Sequence, residues 1–132
     1  MSQQILQPAG WARPRGYSNG IAAEGRQVYI SGQIGWNGQC EFTSDRFAEQ
    51  VRQALANVVA VLAEAGGRPE HLVRLTWYIT SREEYLAQIA DVGSAYREII
   101  GKNFPTMAVV QVVALVSARA RVEIEASAVI PR

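Results

Sequence analysis

Residues 103–116 read NFPTMAVVQVVALV, and residues 121–129 read RVEIEASAV. In the first stretch a loop closes on Pro105 and an extended apolar run begins. One alternating set is Met107, Val109, Gln111, Val113 and Leu115; the other is Ala108, Val110, Val112 and Ala114. Both sets are largely apolar, the pattern of a strand buried on both faces. The second stretch alternates: Val122, Ile124, Ala126 and Ala128 form an apolar side, and Arg121, Glu123, Glu125 and Ser127 a polar one. Strands are predicted over about 107–114 and 119–129. The side chain at the mouth of the first strand, Met107, is a thioether where a cation would have suited an anionic ligand.

Working outward, HLVRLTWYIT (71–80) alternates in the same way. Val73, Leu75, Trp77 and Ile79 fall on one face, with Trp77 expected in the core. His71 is expected to start that strand at the surface. Ahead of it, residues 44–65 predict a helix. Ser44 or Asp45 can accept hydrogen bonds from its first N–H groups, and Phe47, Val51, Leu55, Val58 and Leu62 make one apolar stripe. Gly66 and Gly67 end it. A second helix starts at a Ser81–Glu84 capping box, buries Tyr85, Ile89, Val92, Tyr96 and Ile99, and stops at Gly101. Two short strands, about 17–23 and 27–34, meet at a Glu24–Gly25 turn. Residues 1–16 read as a surface arm, and GWNGQCEF as a loop.

The order is ββαβαββ in one domain spanning 1–132, an α+β class with one mixed sheet. Two helices cover one face of that sheet. No helix remains for the other, so a second copy of the chain is the expected cover, in a closed homo-oligomer.

Thirteen basic and twelve acidic residues leave a formal charge of +1 and no basic block. That gives no electrostatic footprint for nucleic acid or an anionic membrane. No apolar run approaches the ~20 residues of a membrane span, and the first residues lack the apolar core of a signal peptide. The single cysteine, Cys40, cannot close an internal disulfide and has no activating neighbour in sequence. A cytoplasmic protein is expected. No His/Cys cluster has metal-ligand spacing, so no metal site is expected. The single histidine follows a Gly-Gly-Arg-Pro-Glu turn, which leaves no serine–histidine–aspartate arrangement. No dinucleotide or phosphate-loop fingerprint is present.

GYSNGI, VYISGQI, QALANVVAVLAEAG, FPTMAVVQV and VEIEASAV, in this order, resemble the reactive intermediate deaminase (RidA-like, YjgF) family over about residues 15–130. The resemblance implies a chorismate-mutase-like fold, a homotrimer and small-molecule clefts between subunits. It implies hydrolysis of enamines and imines of amino acids, with no cofactor. In such members an arginine at the loop-to-strand junction grips the substrate carboxylate as a fork, and a carboxylate on the last strand handles water or a proton. By that resemblance Glu123 is the catalytic carboxylate, and Tyr17, Ser31 and Gly32 bind substrate. The arginine is absent: Pro105-Thr106-Met107 stands where Pro-x-Arg is expected, and a cleft asparagine of the second helix falls near Gly93. Losing such a charge-assisted contact costs about 1.5–3 kcal/mol. The chain therefore resembles a divergent branch, and Arg13, Arg15 and Arg119 are the candidate substitutes.

Each residue has a plainer alternative. Glu123 could pair with Arg121 or Arg74, and Glu125 reads as structural. Tyr17 could pack at a sheet edge, Ser31 beside Gly32. Met107 could be cleft wall or rim packing, and Trp36 a ligand-stacking wall or a loop aromatic at a subunit contact. The leading expectation is a hydrolase acting on an enamine, imine or related reactive metabolite in intersubunit clefts. The alternative is a non-catalytic trimer that binds or senses a metabolite. Endoribonuclease activity, a label attached to some relatives, is disfavoured by the balanced charge and the missing histidine pair.

Overall fold

The computed structural model describes residues 3–132. A four-stranded mixed sheet forms its centre, in the order β3-β6-β4-β5. Its strands are β3 (Arg26–Ile34), β4 (Leu72–Ile79), β5 (Thr106–Gln111) and β6 (Val122–Ile130). β6 runs antiparallel to both neighbours, with Arg26 opposite Ile130 and Leu75 opposite Ala126. β4 and β5 are parallel, with Arg74 opposite Thr106 and Ile79 opposite Gln111. A parallel pair needs a crossover, and two helices, α2 (Arg82–Ala87) and α3 (Ile89–Ile99), supply it.

The long helix α1 (Phe47–Glu64) buries its predicted stripe completely, and Trp77 lies in the same core. Leu75, Ile79, Val122, Ile124 and Ala128 form the floor beneath it. The opposite face of the sheet carries Arg74, Thr76, Tyr78, Glu123, Glu125 and Ser127, none of them buried. The alternation in β6 and in residues 74–79 of β4 thus sorts the two faces as predicted. At the start of β4 the register slips between Leu72 and Arg74, so Leu72 enters the core in place of the expected Val73.

Tertiary contacts moved several boundaries. The arm contains a strand, β1 (Gln3–Leu6), which pairs antiparallel with β2 (Gly20–Ala23) in a separate two-stranded sheet. Residues 1 and 2 of the expected arm lie outside the described residues. The expected strand 17–23 shortens to β2, because Ser18 is used elsewhere. Its backbone N–H donates to the Pro105 carbonyl at 3.1 Å and its hydroxyl to Phe104 O.

The helix expected from residue 44 starts at Phe47. The Ser44 hydroxyl takes the Arg46 N–H at 3.0 Å, just outside the helix. Inside the first turn, the Gln88 side chain accepts the Ala48 N–H at 2.9 Å. Gln88 is also where the expected second helix breaks into α2 and α3, with φ −107° and ψ 19°. At the start of α2, Ser81 Oγ takes the Glu84 N–H at 3.0 Å, but the Glu84 carboxylate turns to Arg121 at 3.0 and 3.2 Å. Half of the expected capping box is formed. His71 sits in a 3-10 turn, Pro69–His71, rather than in β4, and its Nδ1 accepts the Arg68 N–H at 2.9 Å.

β5 ends at Gln111, three residues short of the expected end. Its partner β4 stops opposite, at Ile79, and Gln111 Oε1 takes the first free N–H of the next turn, that of Arg82, at 2.6 Å. β5 is an edge strand, so burial on both faces does not hold within one chain: Val110 is 44% exposed and Val113 fully so. β6 starts at Val122 rather than 119, because Arg119 turns away to Asp45 at 2.8 Å. No helix of the described residues is long and apolar enough to cross a membrane.

Candidate functional site

The expected site residues fall into two groups. The first surrounds a cavity of about 440 Å³ between α3, the mouth of β5 and the chain before β2. Met107 and Tyr17 both line it, together with Trp77, Tyr85, Val92 and Val109. Tyr17 is brought there by Ser18, whose two bonds to the 104–105 loop fasten the arm beside β5. The neighbouring Thr106 hydroxyl donates to Val73 O, which fixes the loop to β4. No signal short of the pairing itself marked Ser18; it stands inside the GYS motif as a small polar residue.

The walls are aromatic. Tyr85 stands perpendicular to Trp77 at 6.5 Å, and Tyr96 stacks on Phe104 at 6.4 Å. Trp77 Nε1–H is buried and has no hydrogen-bond partner among the described residues. The Tyr96 hydroxyl donates to Asn103 O at 2.7 Å. Burial pushes the Tyr96 and Tyr85 phenols above their ordinary range, because a phenolate would lose its hydration there. The folded state then holds these protons more tightly than the unfolded chain. Their contribution is fully present below the unfolded value of 10.0 and is lost as pH rises towards the folded one. Unfolding free energy is therefore expected to fall above pH 10, and Tyr96→Phe to fall less steeply, as read by urea denaturation across pH 8–11.

The second group lies on the uncovered face of the sheet. Between Ile30 and Gln33 the β3–β6 register slips: three steps on β3 face two on β6, a bulge that holds Ser31 and Gly32. Glu123 of β6 lies against it. A Cβ at position 32 would come within 2.0 Å of Glu123 Oε2, so any other residue there would push the carboxylate from its present place. Among the described residues the Glu123 carboxylate has no hydrogen bond and no ion pair. Arg121, a partner the alternation allowed, is held by Glu84. The Tyr78 hydroxyl donates to Glu125, which raises the phenol's pKa and agrees with a structural Glu125. The bulge was not legible in VYISGQI, although glycine inside a strand is its usual signal.

Trp36 belongs to neither group. It packs against Phe42 at 5.8 Å in the loop before α1 and does not line the cavity. Arg119 lies over the Phe42 ring at 5.0 Å while paired to Asp45, so it is not available as a substitute cation. Arg15 lines the cavity and Arg13 a neighbouring hollow. Arg97, not singled out from the sequence, lines the cavity as well.

The fold and these two groups define a small α+β domain with a solvent-facing carboxylate on its last strand and an apolar cleft at the loop-to-strand junction. Residues 11–130 match the family model described as endoribonuclease L-PSP. The chain belongs to this family, also called the YjgF or RidA family. A human 2-iminobutanoate/2-iminopropanoate deaminase is 33% identical over 114 residues, which cover 86% of this chain and 79% of the human protein. Among solved structures, a Rid-family protein of unknown function from Yersinia pestis superposes with a TM-score of 0.85 at 28% identity, covering 98% of this chain and all of that one. E. coli TdcF with bound serine superposes with a TM-score of 0.69 at 30% identity, covering 96% and 98%.

Proposed function

We propose that this chain is a hydrolase of reactive enamines or imines, acting without a cofactor in clefts completed by neighbouring copies of a homotrimer. The observation that carries this reading is the Glu123 carboxylate, unpaired among the described residues and seated in the gap left by Gly32 on the face of the sheet opposite the core. The deaminase name of the human relative supports the chemistry. The exposed outer face of the sheet, Val110 of β5 and Val113 just beyond it support assembly, because a second copy would cover them.

In this reading Glu123 holds a water against the carbon of a C=N bond and takes its proton as the oxygen attacks. That proton passes to nitrogen, giving a carbinolamine. Its hydroxyl proton then moves, through the same carboxylate, to nitrogen, the C–N bond breaks, and ammonia leaves as the carbonyl forms. Tyr17 and Met107 line the helix-side cavity, while Ser31 and Glu123 stand on the opposite face of the sheet. In this reading one copy therefore supplies the first pair, and a neighbouring copy the second, to the same ligand. Met107 cannot pair with a carboxylate, so the short α-imino acids named for the human protein lose their anchor at this place.

Imine hydrolysis tests this. 2-Iminopropionate is generated by an amino-acid oxidase and competes with semicarbazide, for wild type and Met107→Arg. Wild type is expected to be slow and the variant at least about tenfold faster, the worth of one charge-assisted contact. A fast wild type overturns the argument from Met107. Inactivity of both, on this and on aromatic imines, overturns the hydrolase reading. A metabolite-binding trimer without turnover is the second reading; the serine in the TdcF crystal supports it. Light scattering at micromolar concentration is expected to give three times 14.5 kDa.

A further inference from the structure

We propose that Arg97 is the anion anchor of the Tyr17–Met107 cavity, and that the cavity takes a carboxylate carrying an aromatic side chain. The inference rests on the functional reading above for the place of the ligand and adds its chemistry.

Gly93 stands inside α3, four residues before Arg97. A glycine inside a helix costs about 1 kcal/mol relative to alanine, so its presence in α3 calls for a reason. Long side chains on a helix bend back towards its N-terminus, over the residue four positions earlier. For Arg97 that residue is Gly93. The exposed Arg97 guanidinium reaches back to it, with Nη1 3.4 Å from the place of a Cβ, in contact with even the smallest side chain at 93. Any longer side chain there would contest the seat. Both residues line the cavity.

The guanidinium is uncommitted. Its contact is Nη2 to Ser94 Oγ at 3.5 Å, the limit of a hydrogen bond, and among the described residues it has no ion pair. Arg46, Arg52, Arg119 and Arg121 each hold a carboxylate. No aspartate or glutamate lines the cavity, and two arginines do. Of these, Arg15 stands on the irregular chain before β2. Arg97 stands on a helix fixed by the buried Val92, Ala95 and Tyr96, the firmer mounting for a fork that must meet a carboxylate in register.

The rest of the cavity has the opposite character. Trp77, Tyr85, Ile89, Val92, Met107 and Val109 form a continuous apolar wall. Perpendicular aromatic pairs such as Trp77–Tyr85 accept a further ring edge-on, and a thioether makes favourable contact with an aromatic edge. The volume of about 440 Å³ is that of a small-molecule site. Charge at the helix and apolar surface at the strand mouth reverse the polarity that an arginine at 107 would create. A carboxylate directed to α3, with a phenyl or indole group against Met107, satisfies both ends.

The test is calorimetric titration of wild type, Arg97→Gln, Arg97→Lys and Arg15→Gln with phenylpyruvate, pyruvate and the neutral ketone phenylacetone. These are stable carbonyl counterparts of the imines. Wild type is expected to bind phenylpyruvate at least about tenfold more tightly than either of the others. Arg97→Gln should reduce phenylpyruvate affinity by about tenfold, to that of phenylacetone, and leave phenylacetone unchanged. Arg97→Lys should recover part of the loss, since a lysine supplies charge without the fork. Equal affinity of wild type and Arg97→Gln overturns the assignment, as does a loss confined to Arg15→Gln. Preference for pyruvate overturns the aromatic part. A wild type that hydrolyses imines yet binds none of the three ketones defeats this inference and leaves the hydrolase reading standing. Absence of both binding and turnover defeats both.

Discussion

Glu123→Gln is expected to lower imine turnover by about 10²–10⁴-fold, the usual worth of a positioned proton-transfer group. It should leave the fold intact. The carboxylate makes no hydrogen bond or ion pair within the described residues, and glutamine keeps its shape over Gly32. Stability is expected to stay within about 0.5 kcal/mol of wild type, as for surface substitutions away from special contacts. The pairing of the two measurements decides the matter. Lost turnover with an unchanged urea midpoint assigns Glu123 to the chemistry. Unchanged turnover removes the carboxylate from the mechanism and assigns the proton transfer to another group.

Gln50→Leu is expected to have the largest effect on stability. Gln50 is 1% exposed on the inner face of α1. Its Nε2 donates to Ser44 O and Arg119 O, both at 3.1 Å, and its Oε1 accepts the Arg121 N–H at 2.8 Å. One side chain thus ties the loop before α1 to the chain entering β6. The seat is tight, since a Cβ at Gly35 would lie 2.6 Å from Gln50 Cβ. Leucine fills similar volume but leaves two carbonyls and one N–H without partners. Each stranded group costs about 1–3 kcal/mol, and partial access to water at the loops relieves some of it. A loss of about 2–4 kcal/mol follows, or roughly 10 °C in Tm for a domain of this size. A loss below about 1 kcal/mol in urea denaturation would show that water replaces these bonds freely.

The sequence made the sheet and its inner face legible because each strand near the centre is buried on one side. Alternation in 72–79 and 122–130 therefore reports directly on position. What escaped was set by contacts between distant elements. Gln88 breaks the second helix while its side chain caps α1, a demand that no periodicity along α2 and α3 records. β1 pairs with β2 at the periphery, where little apolar burial marks a strand. Gln50 lies on the same helical face as Phe47 and Val51, a polar residue in an apolar stripe, and that anomaly was its available signal. Family resemblance named Glu123, Gly32, Tyr17 and Met107 as candidates, which the structure places in two groups on opposite sides of the sheet. It could not locate Arg97, because the folding of one side chain over a glycine is a fact of three dimensions.

The place of β6 has a consequence for the order in which the molecule can be made. It lies between β3 and β4, and β3 has no other partner in the sheet. Yet β3, α1, β4 and β5 all precede it in the chain. As the polypeptide leaves the ribosome, β3 must wait through nearly ninety residues, from Ile34 to Val122, before the strand that joins it arrives. During that interval the α1 stripe lacks the Val122 and Ile124 part of its floor, and the two halves of the sheet stay unjoined. Completion of the domain is thus a single late event, and a nascent chain stalled before β6 is a natural client for chaperones.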